Sequence, residues 1–345
     1  MQKLSRREVL RWISLQIAAL TGAHILAACG EGASSTEVRD GVPGSSPTET
    51  IAAPSSDDGA LQDIQSVKAT ETPEVYPHLT VARGGEPEAL VRSALAALGG
   101  MGRFVHPGDD VIVKPNICVS YHTFKYAATA NPWVVATLVK LCFEAGAARV
   151  RVMDYPFGGT CEQAYARSGI AEQVQAAGGI METISSIKFV ETEIPQGQDL
   201  RTCWIYDDIL QADTVINVPI AKHHSLARLT LGMKNLMGTI RDRPPMHINL
   251  GQRLADLVSR IQPALTVVDA VRILKTHGPT GGNLDDVQKL DTVIASPDIV
   301  AADSYAAGLF GMQPNELGYI NAGVEMGLGR SDLENLEIVE LPYAA

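Results

Sequence analysis

Apolar residues along the chain fall into short β-branched runs that alternate with longer stretches of helical period. The run VIVKPN (111–116) reads as a strand ending in a proline turn. Asn131 before Pro132 is a cap and first-turn pair, and WVVATLVKLCFEAGA behind it has helical apolar spacing up to Gly146. Further strands are read at ARVRVMDYP, ending at Asp154, and at TVINVP (214–219), LTVVDA (265–270) and DTVIAS (291–296). Helices are expected over 251–261 and 297–309. This alternation predicts an α/β fold, a mostly parallel sheet with helices on both faces, over 76–345.

The first 75 residues follow another pattern. Arg6 and Arg7 precede an apolar stretch from about Ile13 to Ala28, and LAAC places small residues before Cys29. That order predicts a twin-arginine export signal over 1–28, with Cys29 as the lipidated first residue of the mature chain. Residues 29–75 are rich in Ser, Thr, Pro, Gly and acids and predict a disordered tether. The protein is thus expected to be exported and held by lipid alone on the outer face of a bacterial membrane, periplasmic or at the cell surface.

Composition narrows the classes. The 345 residues are 46% hydrophobic and 19% charged, enough for a sizeable core. The net charge of −11 argues against nucleic acid as a partner. Five cysteines without a CxxC spacing exclude a disulfide scaffold and predict no iron–sulfur cluster.

In a parallel sheet, ligands bind beyond the carboxyl ends of the strands, and unusual polar residues stand there: Lys114, Asn116, Asp154, Lys222 and Asp269. The densest stretch, VPIAKHHSLARLTLGMKNLMGTIRDRPPMH, holds Lys222, His223, His224, Lys234, Asn235, Arg241, Arg243 and His247, with leucines and methionines between them. Basic groups embedded in apolar sequence suggest a lined pocket for a small anion. His224 and Lys234 lie about 80° apart on an ideal helix, so one continuous helix would bring them together only loosely. The loop GPTGG, with Gly281, offers backbone amides to an anion, although it lacks phosphate-loop spacing. Asp298 sits at a helix-cap position, whereas Asp303 stands among alanines inside the same helix, which marks it as a candidate functional carboxylate.

Taken in order, VIVKPN, INVPIAKHHSLARLTLGMKNLMGTI with His247 after it, VVDA followed by GPTGG, ASPDIVAADSYAAGLFG and GLGRSDLENLEIVEL resemble the domain-of-unknown-function 362 family over roughly Leu79 to Leu341. The resemblance implies an α/β fold and leaves the reaction open. Many members carry an iron–sulfur segment that this chain lacks. The order His224, Lys234, His247 also resembles that of nickel-pincer lactate racemases. There the lysine is joined to a pyridinium-derived nucleotide carrying nickel, and the last histidine binds the metal. Here the final gap is shorter, and MKNLMG replaces the glycine-rich surroundings of that lysine.

Two functions are therefore expected. The first is an enzyme acting on a small anionic metabolite by hydroxy-acid-type proton or hydride chemistry, with a bound transition metal or another cofactor. In it His224, Lys234 and Asp303 are catalytic, and Lys114, Asn116, Lys222, Asn235, Asp269 and Gly281 bind the ligand. His224 and His247 are the candidate metal ligands. The second is a surface lipoprotein that only binds an anion or a metal.

Overall fold

The computed structural model describes residues 75–341. The residues up to 74, expected to form the export signal and the tether with Cys29 among them, lie outside these. In chain order the main elements are β1 (Leu79–Arg83), α1 (Pro87–Ala97), β2 (Asp110–Pro115), α2 (Pro132–Glu144), β3 (Arg149–Val152), α3 (Cys161–Ser168), α4 (Ile170–Ala176) and β4 (Ile180–Met181). Then come β5 (Phe189–Glu193), β6 (Thr202–Tyr206), α5 (Asp207–Gln211), β7 (Thr214–Val218), β8 (Ile220–His224), β9 (Arg228–Thr230), α6 (Gly232–Asn235) and α7 (Leu250–Ile261). The chain closes with β10 (Leu265–Leu274), β11 (Val287–Ser296), α8 (Ile299–Gly308), α9 (Gly318–Glu325) and β12 (Ile338–Leu341).

A ten-stranded sheet runs β12-β1-β11-β10-β7-β2-β3-β4, with β8 pairing β10 and β9 pairing β8. Most pairings are parallel; β11 is antiparallel to both of its neighbours. Alternation alone suggested a parallel partner for the 291–296 strand. The difference arises because residues 275–286 form a return loop and not a helical crossover, so the chain comes back along β10 in reverse.

Side chains alternate across the sheet into cores on both faces. Val267, Val271 and Val293 pack with Leu90, Val134 and Leu138 on the α1–α2 face. Val268, Ile273 and Ile294 pack with Leu254, Val300 and Ile320 on the α7–α9 face. The predicted cap at α2 is present: the Asn131 side chain accepts from Trp133 N at 3.0 Å. Asp298 caps α8 through Ala301 N at 2.9 Å.

One irregularity shapes the molecule's working edge. β7 pairs with both β2 and β10, with Pro115 opposite Val218. Beyond Pro219 the chain continues as β8, which pairs with β10 on one side, Lys222 opposite Leu274, and with β9 on the other. β2 has stopped by then, so β2 and β8 part and leave a gap at the carboxyl ends of the parallel strands. Residues 225–249 fold back over this gap as the β8–β9 hairpin, α6 and two 3-10 turns, Leu236–Thr239 and Pro244–His247. The stretch 218–247 is therefore not one helix. His224 ends a strand and Lys234 sits on a separate four-residue turn of helix.

Candidate functional site: a buried cationic pocket

The floor of the gap is an amide-linked network. The Asn235 side-chain oxygen accepts from Lys114 Nζ at 2.9 Å and from Asn116 Nδ2 at 2.9 Å. Its Nδ2 donates to Lys114 O at 3.2 Å and to Asn217 Oδ1 at 2.9 Å. Asn217 in turn donates to Gly232 O at 3.0 Å, fastening α6 to β7. Lys114 Nζ also donates to Asn235 O at 2.6 Å and lies 2.8 Å from Asp154 Oδ1, an ion pair without hydrogen-bond alignment. Gly238 permits this: a Cβ there would stand 1.9 Å from Asp154 Oδ1 and 2.5 Å from Lys114 Nζ. Lys222 Nζ donates to Asn116 Oδ1 at 3.0 Å and to Ala128 O at 2.6 Å, and lies in hydrogen-bonding reach of the Cys118 thiol.

Four basic groups share this small volume, Lys114, Lys222, Lys234 and Arg243, and burial lowers the pKa of each. Asp154 is the carboxylate that offsets them. Three of the four donate to protein acceptors. Arg243 gives its guanidinium to the carbonyls of Met237, Pro156 and Tyr155. Lys114 and Lys222 are bound as described. Lys234 differs. It is 9% exposed, and no acceptor among the described residues takes a hydrogen bond from its Nζ. Burial, then Lys222 and Arg243, pull its pKa down to about 8, so near neutral pH it exchanges readily between ammonium and amine.

His224 supplies a second unspent donor. Its Nδ1 accepts from Leu226 N at 3.1 Å and Ala227 N at 3.2 Å, which assigns the ring proton to Nε2. Burial and the neighbouring Lys234 push its pKa down to about 3, so the ring is neutral. A neutral imidazole with Nδ1 engaged and Nε2 protonated has no lone pair left for a metal. The His224–His247 metal pair read from sequence therefore does not fit. His247 is exposed, with Nδ1 3.3 Å from Pro244 O, and no group of three His, Cys, Asp or Glu among the described residues could hold a metal ion. Nor does so cationic a donor set favour a cation.

The other sequence candidates divide. Lys114, Asn116, Lys222, His224, Lys234 and Asn235 come together. Asp303 does not enter the pocket: its oxygens accept from Gly232 N at 2.6 Å and Met233 N at 2.9 Å, holding the start of α6 from behind. Burial raises its pKa to about 7. Asp269 accepts from Asn131 N at 2.6 Å and Val271 N at 3.0 Å, tying α2 to β10, and burial raises it to about 6. Gly281 has φ 64°, and a Cβ there would stand 3.2 Å from the Leu274 methyls, so its place in the return loop suits glycine. That loop nonetheless borders the site: Gly278 N donates to His223 Nδ1 at 3.1 Å, and Cys118 Sγ lies 3.8 Å from Pro279 O. Sequence reasoning left Asn217 and Cys118 without a role and noted Arg243 and Asp154 only by position. Asn217 and Cys118 lie close to strand ends that the pattern had already located.

Comparison with known proteins gives three findings. The profile of a domain of unknown function, DUF362, matches residues 111–308. A thylakoid-associated protein of Synechocystis sp. is 27% identical over 255 residues, covering 71% of this chain and 77% of that protein. The solved lactate racemase apoprotein from Thermoanaerobacterium thermosaccharolyticum aligns with a TM-score of 0.41 at 11% identity, covering 68% of this chain and 56% of the racemase.

Proposed function

We propose, for a chain that belongs to the DUF362 family, that it binds a small carboxylated or phosphorylated metabolite at the β2–β8 gap and exchanges a proton with it. One observation carries the reading: Lys234 is a nine-tenths buried lysine among three other cations, with its own donors unspent. An anion there would receive hydrogen bonds from Lys234 Nζ and His224 Nε2, while Lys114, Lys222 and Arg243 lend charge without moving. Lys234 is the acid–base group, because its pKa of about 8 suits transfer in either direction near neutral pH. His224 stays neutral and donates to oxygen. A pure binder would have no need of a lysine so poised, which favours the enzyme over the capture protein.

The order of Arg6, Arg7, the apolar run and Cys29 supports export and lipid attachment as part of the same proposal. The thylakoid association stated for the Synechocystis relative agrees with a membrane-surface location. No described helix is long and apolar enough to cross a membrane.

The test is calorimetric titration of the full chain with inorganic phosphate, lactate and pyruvate, followed by proton NMR of the bound acid in deuterium oxide. Binding of at least one anion is expected, weakened ~10-fold or more in Lys234→Met, as for loss of a buried charged partner. Failure of all three to bind would sink the proposal.

A further inference from the structure

The loops that follow β2 and β3 bring three aromatic side chains to the basic cluster: Tyr121 on the first loop, Tyr155 and Phe157 on the second. The two loops are fastened to each other. Val119 bridges Gly158, Ser120 N donates to Gly158 O at 3.0 Å, and Cys118 O accepts from Phe157 N at 2.8 Å and Gly158 N at 3.2 Å. A Cβ at Gly159 would stand 2.0 Å from Ser120 Oγ, so glycine permits the approach. The second loop is also fastened to the pocket. Tyr155 N donates to Gly238 O at 3.2 Å, and Gly238 adjoins Lys114 and Asp154. The Arg243 guanidinium lies 4.6 Å over the Tyr155 ring and donates to Pro156 O at 3.4 Å, which joins the basic cluster to the aromatic loop. The outer rings nonetheless stay in water: Phe157 is 71% exposed and Tyr121 is 53% exposed. Tyr121 is backed by His122, edge-on at 4.7 Å, which stacks on Tyr126 at 4.4 Å. Two exposed rings on fastened loops beside a charged site make a preformed apolar platform. Exposed Thr160, Glu162, Gln163 and Arg167 follow it in the chain. So small a patch suits one ring and falls far short of the roughly 20–30 residues a side of a protein interface.

We propose that the anion taken at this site carries an aromatic ring: its charged group enters among the basic side chains, and its ring lies against Tyr121 and Phe157. The inference rests on the anion-site reading and narrows its substrate class to carboxylates and phosphate esters bearing a planar ring. Charge complementarity and continuity through Arg243 name this occupant, because one ligand reaches both the basic groups and the rings. Ring-on-ring contact in offset or edge-to-face geometry supplies the added affinity, and the fastened loops lose little freedom when it forms.

The experiment is calorimetric titration of the full chain with two pairs of probes, methyl and phenyl phosphate, and acetate and phenylacetate. Each pair keeps its charged group and differs in the ring. In at least one pair the phenyl member should bind ~5-fold or more tightly than its partner, as for one added aromatic contact. The double variant Tyr121→Ser, Phe157→Ser should lose that preference and keep the affinity for the small member; both positions are exposed, so its urea melt should match the parent's. A phenyl member no tighter than its partner, or a preference that survives both substitutions, overturns the ring subsite and leaves the anion site standing. A parent that dimerises through these rings, with the dimer lost in the variant, overturns it as well and makes the patch a contact between copies. If neither pair binds, this inference falls, and titration of the same sample with inorganic phosphate, lactate and pyruvate shows whether the anion site falls with it.

Discussion

A lysine buried without an acceptor costs stability, and its pH dependence shows where that cost lies. Lys234 has a folded pKa of about 8 against an ordinary 10.5. Below pH 8 both the folded and unfolded chains hold the proton, and the folded state carries the full penalty. Between pH 8 and 10.5 the unfolded chain binds more protons, so stability rises with pH across that window. Lys234→Met should therefore be more stable than the parent at pH 7, by about 3 kcal/mol, with the gap closing toward pH 10.5. Urea melts of both proteins at pH 7 and pH 10 check this, and the difference between them cancels the titration of Lys114 and Lys222. A less stable variant at pH 7 would mean that the ammonium has a partner. The residue types at this site were legible because lysine, asparagine and histidine are out of place among β-branched and apolar neighbours. Which of their donors remain unspent was not legible. Lys114 is satisfied by Asn235, 121 residues away, and Asp269 by Asn131, 138 residues away, distances that no local pattern encodes.

At the scale of elements, the strands and long helices follow from periodicity and capping, whereas α6 does not. Four residues are too few to show a period, and α6 has no side-chain cap of its own. Its position comes from α8, where Asp303 accepts both of its leading amides, and from Asn217 on β7. This explains why Asp303 looked anomalous in an alanine-rich helix: its partner lies on another element. Asp303→Ala leaves two buried amides unmet, a loss of ~2–4 kcal/mol. Asp303→Asn should be no rescue, because it replaces one acceptor with an amide nitrogen facing an N–H. Since Lys234 follows Gly232 by two residues, phosphate affinity measured on the folded fraction should fall in both variants. Unchanged affinity in fully folded Asp303→Ala would show that α6 is placed without it. Urea melts and calorimetry at pH 8, above the Asp303 pKa of about 7, separate the two effects.

Across the described body, the sheet holds its border strand and the basic cluster at separate places. β12 pairs with β1 in parallel, Leu79 opposite Ile338 through Ala82 opposite Leu341, and forms one border of the sheet. The cationic gap lies between β2 and β8, across β11 and β10 from that border. Pairing between the first and last described strands closes a very long loop, and such contacts carry no local signature beyond the β-branched run itself. Ending the chain after Glu337 removes the β12 ladder and uncovers β1 as an edge. At ~0.5–1.5 kcal/mol for each backbone hydrogen bond lost, this costs a few kcal/mol and lowers Tm by several degrees. Phosphate affinity below the new Tm should be unchanged, because Lys114, Lys222, His224 and Lys234 stand on β2, β8 and α6, none of which pairs with β12. Thermal melts and calorimetry on the shortened chain decide it. A matched fall in Tm and affinity would show that the sheet transmits strain from its border to the gap and that the two are not separate.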